Sequence, residues 1–227
     1  MFYEIVKNEQ QLKEFIDWLP DLKPNETFYV CLFARKKYCN DKTALKSDKS
    51  QLKRFTANKS NLYTKIRQLE CKLGSYTIKG IDVPVESLAL YISINPRNLE
   101  LATKKSLVKF ADLITTDYSG YNPHQEVLSQ IQQAVGTKKY ICIDFDGIDF
   151  DSIKDYVLNF INLDCLTVLK TRGGFHLLVE LGKIHKNYKN NWYGAIISIE
   201  GADVRGDMLS PIPGCVQGDF VPYFINV

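Results

Sequence analysis

None of the six cysteines (Cys31, Cys39, Cys71, Cys142, Cys165 and Cys215) forms a C-x-x-C pair, so no zinc ribbon or redox motif is legible. No apolar run approaches the roughly 20 residues that span a bilayer. The opening Met-Phe-Tyr-Glu-Ile lacks a charged leader followed by an apolar stretch. The expected protein is therefore soluble and cytoplasmic, with reduced thiols and no membrane partner. There is no internal repeat or low-complexity segment, and strong net charge is missing too: +3, with a pI near 8.4, permits nucleic-acid binding without arguing for it.

What is present is ordinary globular material, 45% apolar and 24% charged, so disorder and coiled coil are disfavoured. A length of 227 residues suits one domain or two intimately packed modules. The charge is unevenly placed. Lys and Arg crowd the segment 36–79, and acids gather between Asp144 and Asp155. Cys142 and Cys165 sit in apolar runs and read as small core residues.

Periodicity predicts a helix from Glu9 to Trp18, a buried strand from Thr27 to Arg35, and a loop from Lys36 to Ser60 leading into helical material through Leu73. A second apolar strand spans Ser87 to Asn95 and a helix follows from Leu99 to Thr115. Gly120, Asn122, Pro123 and Gly136 interrupt regular structure, which predicts a module boundary between residues 120 and 140. Beyond it come a strand from Lys138 to Asp144, a helix N-capped by Ser152, strands at Leu166–Lys170 and Phe175–Leu181, and a helix from Asn187 to Ile199. The tail carries short strands on either side of Pro211 and Pro213. The fold class is α/β (α+β).

Three motifs carry chemistry. In Tyr140-Ile141-Cys142-Ile143-Asp144-Phe145-Asp146-Gly147, strand periodicity puts two carboxylates on one face. So close a pair repels unless a cation lies between, which suits Mg²⁺ or Mn²⁺; Asp-x-Asp-Gly is also a common strand-end turn. In Thr171-Arg172-Gly173-Gly174-Phe175-His176, two glycines let a phosphate approach the backbone, and Arg172 and His176 offer charge-assisted hydrogen bonds. In the segment from Gly201 to Gly214, either Asp203 or Asp207 can supply the third carboxylate that a two-metal site needs.

This order of motifs resembles the archaeo-eukaryotic primase superfamily, which includes the primase-polymerases: an apolar strand ending in Asp-x-Asp, then Gly-Gly-x-His, then an aspartate before a Pro-Gly turn. The resemblance covers roughly residues 85 to 220. It implies that Asp144, Asp146 and Asp207 hold Mg²⁺ or Mn²⁺, with Asp203 the alternative third ligand, and that His176, Arg172, Thr171 and Lys170 bind nucleotide phosphates. It also implies a fold, an N-terminal α/β module (1–130) packed against a module like an RNA-recognition motif (131–227), with the active cleft between them. Implied partners are nucleoside triphosphates and a single-stranded or primed DNA template, with a helicase left to a separate chain. Leu209-Ser210-Pro211-Ile212 stands where the family often carries a basic residue. A non-catalytic replication-accessory protein on the same fold is the rival expectation. Ile143-Asp144-Phe145-Asp146-Gly147-Ile148 also resembles the nucleophile loop of haloacid dehalogenase-type phosphohydrolases, but too little chain follows Asp146 to build that domain.

Overall fold

The computed structural model describes residues 1–116, 120, 122–204 and 206–227. It is a mixed α/β fold around two antiparallel sheets. The first sheet has β1 (Glu26–Arg35) at its centre, flanked by β2 (Lys49–Ala57) and β3 (Leu88–Ser93). The second has β4 (Tyr140–Asp146), β5 (Leu166–Lys170) and β6 (Gly174–Glu180), edged by β7 (Ala202–Asp203). Late in the chain, β8 (Leu209–Pro211) joins the first sheet beside β3, and β9 (Tyr223–Ile225) joins the second beside β5. The division expected near residue 130 thus does not separate the sheets along the chain.

Each sheet is covered according to its side-chain alternation. In β1, Phe28, Val30, Leu32 and Ala34 point to one side, where they meet Leu12, Phe15 and Ile16 of α1 (Glu9–Trp18) and Leu62 and Ile66 of α2 (Lys59–Arg67). Tyr29, Cys31 and Phe33 point to the other, toward Ala102 of α3 (Leu99–Ile114) and Leu128 and Ile131 of α4 (Pro123–Gln133). In the second sheet Ile143, Phe145, Phe175, Leu177 and Val179 pack on Val157 of α5 (Lys154–Phe160) and on Trp192 and Ile196 of α6 (Trp192–Ile197). The opposite face, carrying Tyr140, Cys142, Leu169 and Leu178, meets Ile94, Trp18 and Phe224 and so joins the two halves. Trp18 lies 4.9 Å from the Tyr140 ring and 5.1 Å from that of Phe224. No helix among the described residues is long and apolar enough to cross a membrane.

Several expectations meet a different structure. Residues 49–57 form β2, not loop: it lies at the sheet edge, where Lys49, Lys53 and Arg54 are tolerated because one flank faces water. Asn122 and Pro123 start α4 instead of interrupting structure. The Asn122 side chain accepts from the Gln125 amide, and proline suits the first helical turn, where an amide hydrogen has no partner to lose. Ser152 caps no helix; its hydroxyl donates to the Asp149 carbonyl within a short 3₁₀ turn, and α5 begins after Ile153. The helix expected over 187–199 is limited to α6.

Candidate active site

The floor of the candidate site is the cross-strand row of β7, β4 and β6. Asp203 stands opposite Asp144, and Asp144 opposite His176. Directly paired residues share a face, so all three side chains leave the sheet on the side away from α5 and α6, as does Asp146 two residues along β4. These four residues line one cavity of about 750 Å³.

His176 is only 7% exposed. Its Nε2 lies 3.3 Å from Asp144 Oδ1, and its Nδ1 lies 3.3 Å from Ser210 Oγ and 3.5 Å from Cys142 Sγ. Burial resists charging this imidazole, but the Cys142 sulfur and the Asp144 carboxylate outweigh it and push the pKa up to about 10. The contacts at both ring nitrogens hold the imidazole in one orientation beside Asp144.

The two-glycine turn has a steric cause. A Cβ on Gly174 would sit 1.9 Å from the Phe145 carbonyl oxygen, and one on Gly173 would sit 2.7 Å from Asp146 Oδ1. A Cβ at Gly174 would strike backbone, whereas one at Gly173 would displace the Asp146 carboxylate, so that glycine leaves the side chain its room. Thr171 is buried and lines the same cavity.

Arg172 and Lys170, expected to bind phosphate, are committed elsewhere. Arg172 Nε donates to Asp219 Oδ1 at 2.6 Å, and its guanidinium stacks 4.8 Å from the Tyr38 ring centroid. Lys170 pairs with Asp149; in register it is Leu169, not Lys170, that shares the face of His176. Counting alternate residues back from His176 through the turn does not reveal this, because the turn breaks the parity.

Asp207, expected to be the third metal ligand, is engaged on both oxygens. Oδ1 accepts from Asn95 Nδ2 at 2.6 Å, and Oδ2 pairs with Arg97, a guanidinium only 1% exposed. Asp203 instead is the cross-strand neighbour of Asp144. No protein-family model, curated protein or solved structure matches this chain. The site is thus read from its own geometry.

The donors Asp144, Asp146 and Asp203 are carboxylates without a thiolate, the chemistry that Mg²⁺ and Mn²⁺ prefer. As they stand, no group of three or more His, Cys, Asp or Glu side chains among the described residues is arranged to hold a metal ion. The opposite wall of the cavity is basic and comes from the first sheet: Arg35, Lys37, Lys49 and Arg97 with Tyr38 and Tyr91. Sequence reasoning read the basic segment 36–79 as a template-binding surface or a solvated face, and did not bring these residues to the cavity. The available signal was Arg35-Lys36-Lys37 directly after an apolar strand, since cations at a strand end are presented together at one rim of the sheet.

Proposed function

We propose that this chain is a primase-polymerase-type nucleotidyltransferase that extends a nucleic-acid strand on a single-stranded or primed DNA template from nucleoside triphosphates. The reading includes a second sheet packed in the manner of an RNA-recognition motif, with the cavity as the active cleft. One observation carries it: three carboxylates and a buried histidine line a cavity whose other wall is cationic. A nucleotidyl transfer needs that polarity, with acidic groups where the reacting oxygens and divalent ions meet and basic groups where the polyphosphate lies.

In the reaction, the oxygen of a strand's 3′-hydroxyl attacks the α-phosphorus of the bound nucleotide. The new O–P bond forms as the bridging bond to the β-phosphate breaks, the hydroxyl proton passes to water, and pyrophosphate leaves. Asp144, Asp146 and Asp203 would hold Mg²⁺ or Mn²⁺, which lowers the pKa of the attacking hydroxyl and neutralises charge on the leaving group. Asp203 takes the third position in this reading because it stands directly opposite Asp144 on the neighbouring strand. His176 orients Asp144 through the 3.3 Å contact and lies within reach of a phosphate at the cavity floor. Thr171 offers a hydroxyl beside it. The Gly173 backbone keeps Asp146 turned toward the cavity.

The test is extension of a labelled primer on a single-stranded template with Mg²⁺ or Mn²⁺. Product from the wild type that is lost in Asp144→Asn and Asp203→Asn, with both variants folded, supports the reading. Absence of product with either metal, while the protein still binds single strands, sinks it in favour of a replication-accessory role.

A further inference from the structure

Three cations meet at one end of the first sheet, and among the described residues no carboxylate pairs with them. Arg35 ends β1 and Lys49 begins β2, and the two are direct cross-strand partners, a pairing of like charges that destabilises a sheet. Lys37 follows in the 3₁₀ turn Lys36–Tyr38. Among the described residues none of the three forms an ion pair. They are arrayed on aromatic rings instead: Lys49 Nζ lies 4.2 Å from the Phe33 centroid, Lys37 Nζ 5.3 Å and the Arg35 guanidinium 5.6 Å from that of Tyr38. Among the described residues Arg35 Nε is buried without a hydrogen-bond partner, and Arg35 Nη1 reaches the Tyr91 hydroxyl at a long 3.4 Å. Burial and the neighbouring Arg35 and Lys37 hold the Lys49 ammonium below its ordinary pKa.

A half-buried cluster of like charges with an unpartnered donor is a costly arrangement for the free protein, and an anion relieves it. All three cations line the cavity that Asp144, Asp146 and Asp203 line from the other side. The Tyr38 and Tyr91 hydroxyls, 3.3 Å apart, add neutral donors between them. We infer that Arg35, Lys37 and Lys49 form a polyphosphate site, which on the proposed reading seats the β- and γ-phosphates of the nucleotide and then the departing pyrophosphate. This assigns the phosphate tail to the β1–β2 connection instead of to Arg172 and Lys170, whose charges Asp219 and Asp149 already balance.

Isothermal titration calorimetry with sodium tripolyphosphate, in the absence of divalent metal, tests the site apart from any catalysis. The wild type binds; Lys49→Gln and Arg35→Gln each weaken binding roughly tenfold or more, as expected for lost charge-assisted contacts. Lys49→Arg retains binding. Thermal melting verifies that the Gln variants are folded; each removes like-charge repulsion, so neither lowers the melting temperature much. Equal affinity in the wild type and the Gln variants overturns the inference. So does a wild type that binds a short oligothymidylate and not tripolyphosphate, since the cations then hold strand phosphates. Tripolyphosphate binding that behaves as stated, in a protein that extends no primer, sinks the nucleotidyltransferase reading and leaves the site standing.

Discussion

Replacing Asp207 with Asn removes the counter-charge from Arg97, which is 1% exposed and whose Nε already lacks a hydrogen-bond partner among the described residues. The guanidinium cannot escape by losing its proton, so the variant buries an uncompensated cation. Breaking one partner of such a pair costs about 3–5 kcal/mol. For a chain of this length each kcal/mol shifts the melting temperature by roughly 2–4 °C, so Asp207→Asn should melt roughly 6–20 °C below the wild type. Asp203→Asn, at the sheet edge, should stay within about 4 °C of it. Differential scanning calorimetry reads the stability, and primer extension on the same samples reads the activity. The expected pattern is a stable, inactive Asp203→Asn and a destabilised Asp207→Asn. An Asp207→Asn protein that melts with the wild type and is inactive would refute the structural assignment and return Asp207 to the metal.

The glycine turn gives a graded pair: Gly174→Ala, whose Cβ would meet the Phe145 carbonyl at 1.9 Å, should cost about 1–3 kcal/mol or more in urea unfolding. Gly173→Ala meets only the Asp146 carboxylate and should lower strand extension while leaving the urea midpoint nearly unchanged; the reverse ranking would disprove the packing argument. Lys49 faces Arg35, Lys37, Tyr91 and Cys31, and its pKa is depressed by burial and then by Arg35. The charged form therefore costs stability below its folded pKa, and the cost fades as pH rises from there toward 10.5, so Lys49→Gln should be the more stable protein at pH 7 and lose that advantage near the ordinary lysine pKa. A constant difference in melting temperature across that range counts against it. Glu26 is desolvated, yet the amides of Lys23 and Thr137 and the Thr137 hydroxyl overcome this and lower its pKa. Its contribution is present above about pH 4.5 and lost as pH falls through the folded value, so the gap between wild type and Glu26→Gln in an acid melting series should close there.

Long periodic elements were legible in the sequence because one rule controls each. Leu12, Phe15 and Ile16 mark the buried stripe of α1, and Asp144 and Asp146 share a face because a strand alternates. What escaped was decided by partners distant in sequence. In β2 a bulge at Leu52 and the lysines an edge strand admits mask the alternation, and Arg54 is held by Gln125 and Ser129 of α4, over 70 residues away. Asp203 and Asp207 are equivalent as sequence; only the register of β7 on β4 and the burial of Arg97 tell them apart. The basic wall escaped for the same reason, since Arg35 and Lys49 become neighbours only when β1 and β2 pair.

The Arg97–Asp207 pair also bears on how the two walls of the cavity hold their spacing. Asp203 belongs to the second sheet and Leu209, six residues on, to the first, so this short segment ties the acidic wall to the basic one. Asp207 is pinned midway by Arg97 and by Asn95, whose side chain also accepts from the Lys139 and Tyr140 amides at the start of β4. Replacing the pair with apolar residues of similar size, Arg97→Met with Asp207→Leu, removes the pin without leaving a bare charge, and such exchanges are often neutral or stabilising. The double variant should therefore recover most of the melting temperature that Asp207→Asn loses. Because its tie between the walls is looser, its KM for nucleotide in primer extension should rise by more than its kcat falls. A double variant with wild-type KM would mean that the sheets hold the spacing by their packing at Trp18, Tyr140 and Phe224 alone.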